Sequence, residues 1–329
     1  MKFKIVTKDL LNILSSTKQI VDKLKFIEFD FLKIDELANH IKNKVDEGFE
    51  DLNTHFGISE NYEQNVQLIF IENVVNFCFW DEKDKGKWKI EWNNKKINGG
   101  WYGLKTCFQR ALADNVLILD ANYLSSISEE NVKALFKSSN GIEIPLIEKR
   151  MKNLQEAGRI LIDKYQGNYI NVINKSDENA VSLTKLIYKD FPSFKDIYNF
   201  EGQKVCFLKR AQICANDINY VYQKKYGKSL AGVEELTAFA DYRLPQMLRM
   251  FGVINYSDNL AKKVDNYILL PFESREEIEI RAVTVWGIEL IRQKLKFYTA
   301  AQIDNALWLM SQGLPDEVNP YHRTYTTYY

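Results

Sequence analysis

The 329 residues contain only three histidines, four cysteines and six prolines, and each scarcity narrows what the chain can be. His40, His55 and His322 lie far apart and form no ligand spacing of the H-E-x-x-H kind, which argues against a zinc centre. Cys78, Cys107, Cys206 and Cys214 show no C-x-x-C spacing and have apolar neighbours, so they are expected to be buried free thiols of a reducing compartment. Charge of one sign is also missing. With 44 Lys plus Arg against 44 Asp plus Glu, the chain offers no general field to a nucleic-acid backbone. It has no apolar run long enough to cross a membrane, and the start, MKFKIVTKDLLNIL, lacks the apolar core and small-residue site of a secretory signal. These absences predict a soluble, cytoplasmic protein that binds neither membrane nor duplex.

What is present is apolar residue at helical spacing, in a composition that is 46% hydrophobic. Leu10, Leu11, Ile13 and Leu14 begin the pattern, Leu104, Phe108 and Ala111 resume it, and Ile147 to Ile162 carries it further. The exception is residues 87–101, where Trp88, Ile90 and Trp92 alternate with Lys89 and Glu91 ahead of Asn93 and Asn94, the pattern of a β-hairpin. The expected fold is therefore mainly α, a multi-helix globule with one small hairpin. One compact domain over 1–329 is expected, softly divided into an N-terminal helical layer with the hairpin, 1–199, and a C-terminal lobe, 200–329.

The segment FADYRLPQ, Phe239 to Gln246, places an acid, a phenol and a cation beside a helix breaker. Pro245 has no N–H, and its ring opposes the carbonyl four residues back, so Leu244 should leave helical geometry. Asp241, Tyr242 and Arg243 should then sit at a kink or between two helices. The plainer alternative is a proline in the first turn of a helix with a solvated acid as neighbour.

Acids also fall on apolar stripes. In the predicted helix Val205 to Tyr222, Asp217 lies on the face of Ile213, Cys214, Tyr220 and Val221, with Arg210 on that face and Lys209 beside it. In Glu276 to Arg292, Glu279 shares a stripe with Ala282, Val283, Trp286 and Leu290. A buried Arg–Asp pair accounts for the first, and a structural polar cluster for both. Inward acids near Arg210, Arg243, Arg281 and Lys209 also suit an acid–base site, because burial and cations push carboxyl pKa values apart.

Two aromatic stretches complete the inventory. In VNFCFWDE, Phe77, Phe79 and Trp80 surround Asn76, as suits a planar heterocycle with polar edges, or equally a core strand. The tail PYHRTYTTYY holds four tyrosines, His322 and Arg323 and no acid. It should dock on the body of the protein, either to bind an anion or simply to pack.

Taken in order, VNFCFW, NGGWYGLKTCFQRAL, PLIEKR, FEGQKVCFLKRAQICANDI, LTAFADYRLPQMLRMFGVINYSDNL, EIEIRA, WGIELIR and PYHRTYTTYY resemble the queuosine salvage protein family over roughly Asn73 to Tyr329. Asp81 falls at a variable position, and Gly99–Gly100 stand where bulkier residues are expected. The resemblance implies a helical fold similar in part to helix-hairpin-helix DNA glycosylases. It also implies hydrolysis of the N-glycosidic bond of queuosine 5′-monophosphate, releasing queuine and ribose 5-phosphate, with no cofactor and no metal. In that chemistry Asp241 is the expected catalytic carboxylate, beneath an oxocarbenium-like sugar. Asp217 or Asn76 would read the base edge and Phe79, Trp80 or Phe239 would stack on it, while Lys209, Arg243, His322, Arg323 and Tyr329 would hold the phosphate. A small nucleotide is the expected partner and a monomer the expected state. A non-catalytic nucleotide or nucleic-acid binder and a DNA glycosylase are the competing expectations.

Overall fold

The computed structural model describes residues 3–46, 59–80, 86–312, 314 and 318–329; His55 and Asp81 lie outside the described residues. Among the described residues the chain forms fourteen α-helices and three two-stranded antiparallel sheets, the mainly α architecture that the periodicity predicts. No helix among them is long and apolar enough to cross a membrane. Ile90–Trp92 pairs with Lys95–Ile97 in the expected hairpin. Asn93 and Asn94 turn it with φ of 49° and 61°, the left-handed values that a two-residue hairpin loop requires and asparagine tolerates.

The 20-residue helix Arg275–Lys294 organises the core. Its residues from Glu276 to Ile291 are all buried, so it is sequestered on every face rather than along one stripe. Ser274 caps it by accepting from the Glu277 N–H, and Glu276 and Glu277 place acids at its positive end. The helices Ile13–Val21, Phe31–Asp46, Arg243–Met250 and Ala300–Gln312 pack around it. The strand Ile27–Phe29 pairs with Ile254–Tyr256, which ties the start of the chain to its C-terminal half. One cluster of buried apolar side chains runs from Phe3 to Leu307.

Two local expectations are corrected. The helix predicted from Val205 begins instead at Lys209 and runs to Tyr226, because Val205 and Cys206 belong to the strand Gln203–Cys206. Leu208 separates the two with φ of 53°, an unfavourable conformation for a branched residue, placed directly before Lys209. Leu244 does not leave helical geometry. The helix Arg243–Met250 holds Pro245 in its first turn, where a missing N–H breaks no bond, and the carbonyl of Asp241 lies outside the helix.

Candidate active site

A cavity opens where the 75–79 segment, the far end of the hairpin, the start of the Lys209–Tyr226 helix, the 239–243 corner, the Ala300–Gln312 helix and the tail converge. Its most polar wall is the corner. Asp241 is half-buried, and its Oδ1 accepts from the backbone N–H of Arg243 at 2.8 Å and of Leu244 at 3.0 Å. Burial raises its pKa, opposed by the charge of Lys209 and by those two N–H groups. Lys209 is 5% exposed; burial lowers its pKa to about 8 while Asp241 holds it up. Asp304, from the Ala300–Gln312 helix, faces the same space, with Oδ2 accepting from the Phe239 N–H at 2.7 Å. Burial first, and then the charge of Asp241, push its carboxyl far above the ordinary range.

Behind this corner stands an ion pair that fixes its backbone. Arg281 grips Asp196 with two bonds of 2.7 and 2.8 Å and donates through Nε to the carbonyl of Ala240, the residue before Asp241, at 3.1 Å. Asp196 also accepts from the Lys209 N–H at 3.0 Å. One bidentate pair thus sets the spacing between the lysine and the acid.

The aromatic wall is irregular backbone whose buried carbonyls need donors. Arg150, wholly buried, supplies them to Val75, to Phe77 at 2.6 Å and to Cys78 at 3.0 Å. Arg210 does the same for Asn73 at 3.0 Å and Val74 at 2.6 Å, and also bonds the carbonyl of Ser193. Arg210 therefore serves the 73–74 carbonyls and is not the ion-pair partner of Asp217. Asp217 instead accepts from Asn73 Nδ2 at 3.0 Å, and Asn76 donates to Asn73 Oδ1 at 3.4 Å, a relay of amides along the wall. Burial raises Asp217 to about 7, against the Asn73 hydrogen bond and Lys105. At the rim, Gly99 has φ of 66°, and an added Cβ would lie 2.3 Å from the carbonyl of Trp88. A bulkier residue has no room at Gly99, whereas an added Cβ at Gly100 meets nothing within 4 Å.

The tail docks, as its composition predicts. Tyr329 lies against the cavity, donates from its hydroxyl to Glu277 Oε1 at 2.9 Å, and accepts through its carbonyl from the Cys78 N–H at 2.8 Å. Glu277 also accepts from the Tyr198 hydroxyl at 2.8 Å, and burial raises it to about 7. Tyr321 packs at a tilt against Tyr242, with the Arg243 guanidinium 4.6 Å from the Tyr321 ring centre.

Of the residues singled out from sequence, Asp241, Asn76, Phe79, Lys209, Asp217, Phe239, Arg243 and Tyr329 line the cavity. Trp80, His322 and Arg323 are not among its lining residues, which corrects their expected placement. Trp80 is 1% exposed, with its ring 4.6 Å from Tyr325, so it anchors the tail. His322 is buried 3.3 Å from the Tyr329 hydroxyl, and burial lowers it to about 3, so it is neutral and offers no cation to an anion. Arg323 turns toward Tyr267, 4.2 Å from its ring centre. Glu279 is also remote from the cavity, accepting from the N–H groups of Lys25 and Phe26. Asp304, Glu277, Asp196 and Arg150 were not predicted. Asp304 carried the same signal as Asp217, an acid four after Ala300 and three before Leu307 on an apolar stripe. Among the described residues, no three His, Cys, Asp or Glu side chains gather as metal ligands would.

Buried carboxyls of differing basicity, a buried lysine and aromatic walls define a small-molecule site with acid–base capacity. The family model described as queuosine salvage protein matches residues 55–329. A protein of Sphaerobacter thermophilus, named queuosine 5′-phosphate N-glycosylase/hydrolase, is 33% identical over 98% of both chains. Proteins of the same name from Bos taurus and Schizosaccharomyces pombe are 34% and 31% identical, over 81% and 83% of this chain and 82% and 83% of theirs. The chain belongs to the queuosine salvage protein family. The likeness extends well into the first seventy residues, beyond the motifs recognised from Asn73 onward.

Proposed function

We propose that this chain is an N-glycosidase that hydrolyses queuosine 5′-monophosphate to queuine and ribose 5-phosphate, so returning the base for tRNA modification. Family membership and the names of the relatives support the reaction. The observation that carries it into this molecule is Asp241, a carboxylate turned to a cavity with one oxygen held by two backbone N–H groups.

Asp241 lies beneath the anomeric carbon, where its charge offsets the positive charge developing on the sugar and directs water to it. Phe79 and Phe239 hold the flat base, and Asp217 with Asn76 takes hydrogen bonds from its guanine-like edge. Lys209 and Arg243 hold the 5′-phosphate, with Tyr329 beside them. Holding the phosphate fixes the sugar over Asp241, so binding at the far end is expressed in turnover.

The test is incubation of the purified protein with queuosine, its 5′-monophosphate and queuosine-containing tRNA, following queuine by mass spectrometry. Release from the monophosphate is expected, with little from the others. No release from any of the three would overturn the proposal.

A further inference from the structure

The proposed reaction leaves one requirement unmet. A 7-deazaguanine has a carbon where purines carry N7, so the usual site for protonating a departing purine is missing. As the C1′–N9 bond breaks, its electron pair moves onto the base, which must gain a proton at a ring nitrogen near the sugar. The donor must therefore stand at the sugar end of the cavity, close to Asp241, and not at the far edge of the base.

Asp304 meets that requirement by position. It lies on a different element from Asp241, the Ala300–Gln312 helix, yet lines the same cavity and is 4% exposed. Its Oδ2 accepts the N–H of Phe239, two residues before Asp241 along the same extended segment, which fixes the carboxyl beside the corner. With Oδ2 engaged as an acceptor, Oδ1 is the oxygen placed to carry a proton. The charged groups that share the cavity with it are Asp241, Lys209, Arg243, Asp217 and Lys87.

Resting on the glycosidase function above, we propose that Asp304 is the second acid–base group of the reaction, donating the proton that the departing base takes up as the C1′–N9 bond breaks. The step balances. Water forms the new bond to C1′ and gives a proton to Asp241, the C1′–N9 pair goes to the base, and the Asp304 proton joins a ring nitrogen. The proton on Asp241 then returns to Asp304 within the cavity, restoring one acid and one anion. The resting state agrees with this division, because burial and the Asp241 charge both favour the protonated form of Asp304.

The full-length protein and its Asp304→Asn variant are compared on queuosine 5′-monophosphate and on 4-nitrophenyl β-D-ribofuranoside 5-phosphate, whose leaving group departs without a proton. For an acid catalyst, kcat on the nucleotide falls at least about 100-fold with KM little changed, while nitrophenol release stays within a few-fold of the native rate. Equal losses on both substrates would overturn the assignment. The pH profile of the native protein on the nucleotide decides independently, including where the variant does not fold or the nitrophenyl glycoside is not cleaved. A basic limb in kcat is expected, and its absence, or its persistence in a folded Asp304→Asn variant, sinks the proposal. A native protein inactive on the nucleotide at every pH instead removes the underlying function.

Discussion

Asp217 and Glu279 look alike in sequence, each an acid on the apolar stripe of a long helix, and the structure gives them opposite surroundings. Glu279 has both oxygens engaged, by the N–H groups of Lys25 and Phe26 at 2.9 to 3.0 Å and by Arg275 at 3.4 Å, and it clamps the N-terminal segment onto the central helix. Asp217 faces the cavity, with Asn73 bonded to its Oδ2. An inward acid whose oxygens are both occupied acts as a strut, whereas one that faces a cavity with an oxygen in reserve is available to a ligand. Asp241 and Asp304 fall on the second side of that division.

The largest test of the division is Asp241→Asn. Turnover of queuosine 5′-monophosphate should fall by about 10⁴-fold while nucleotide binding, followed by calorimetry, persists. A variant that retained turnover would take Asp241 out of the chemistry. On the strut side, Glu279→Ala strands the N–H groups of Lys25 and Phe26, whereas Arg275 keeps its bond to Glu201, and the change should cost about 2–4 kcal/mol in urea unfolding while activity per folded molecule is kept. A specific loss of activity without destabilisation would reverse the two roles.

The pH dependence of stability sharpens the contrast further. The Asp217 pKa is raised from 3.8 to about 7, so its protonated form is the one favoured by folding. The corresponding stability is complete below the unfolded value and is lost as pH rises through about 7. Asp217→Asn removes that loss, so it should gain on the order of 4 kcal/mol over the native protein at pH 8 and nothing at pH 3, yet bind substrate less well. Thermal melts across pH check the sign, and a variant less stable at every pH contradicts it. Tyr329→Phe deletes one donor to Glu277 and should lower stability by about 1 kcal/mol, with a matching small fall in melting temperature. Smallest of all, His322→Gln should leave the preference for nucleotide over nucleoside unchanged, since a neutral ring outside the cavity lining cannot grip a phosphate. A tenfold loss of that preference would restore the tail as an anion clamp.

Periodicity made the helices and the inward acids legible, the aromatic composition of the tail marked it as docked, and Asn93–Asn94 marked the hairpin turn. The parts that stayed hidden depend on contacts between segments far apart in sequence. Nothing near Arg150 announces that its guanidinium serves carbonyls some seventy residues earlier, and the Asp196–Arg281 pair joins positions 85 residues apart. Glu277 was masked by Glu279, whose stripe is more apolar, although Glu277 is the one that meets the tail. The helix start at Lys209 was missed because the left-handed Leu208 has no signature in a run of apolar residues.

Pro245 gives the corner a property that an ordinary helix start would not have. An acid ahead of a helix commonly turns both oxygens to the first-turn amides, and the third amide of this helix has been replaced by a ring carbon. Asp241 therefore spends one oxygen on Arg243 and Leu244 and finds no further amide in that turn to draw in the other. Pro245→Ala would restore such an amide as a rival to any bound sugar, silencing the carboxylate with the acid itself left in place. The oxygen that Asp241 keeps in reserve rests on a hydrogen that the backbone lacks.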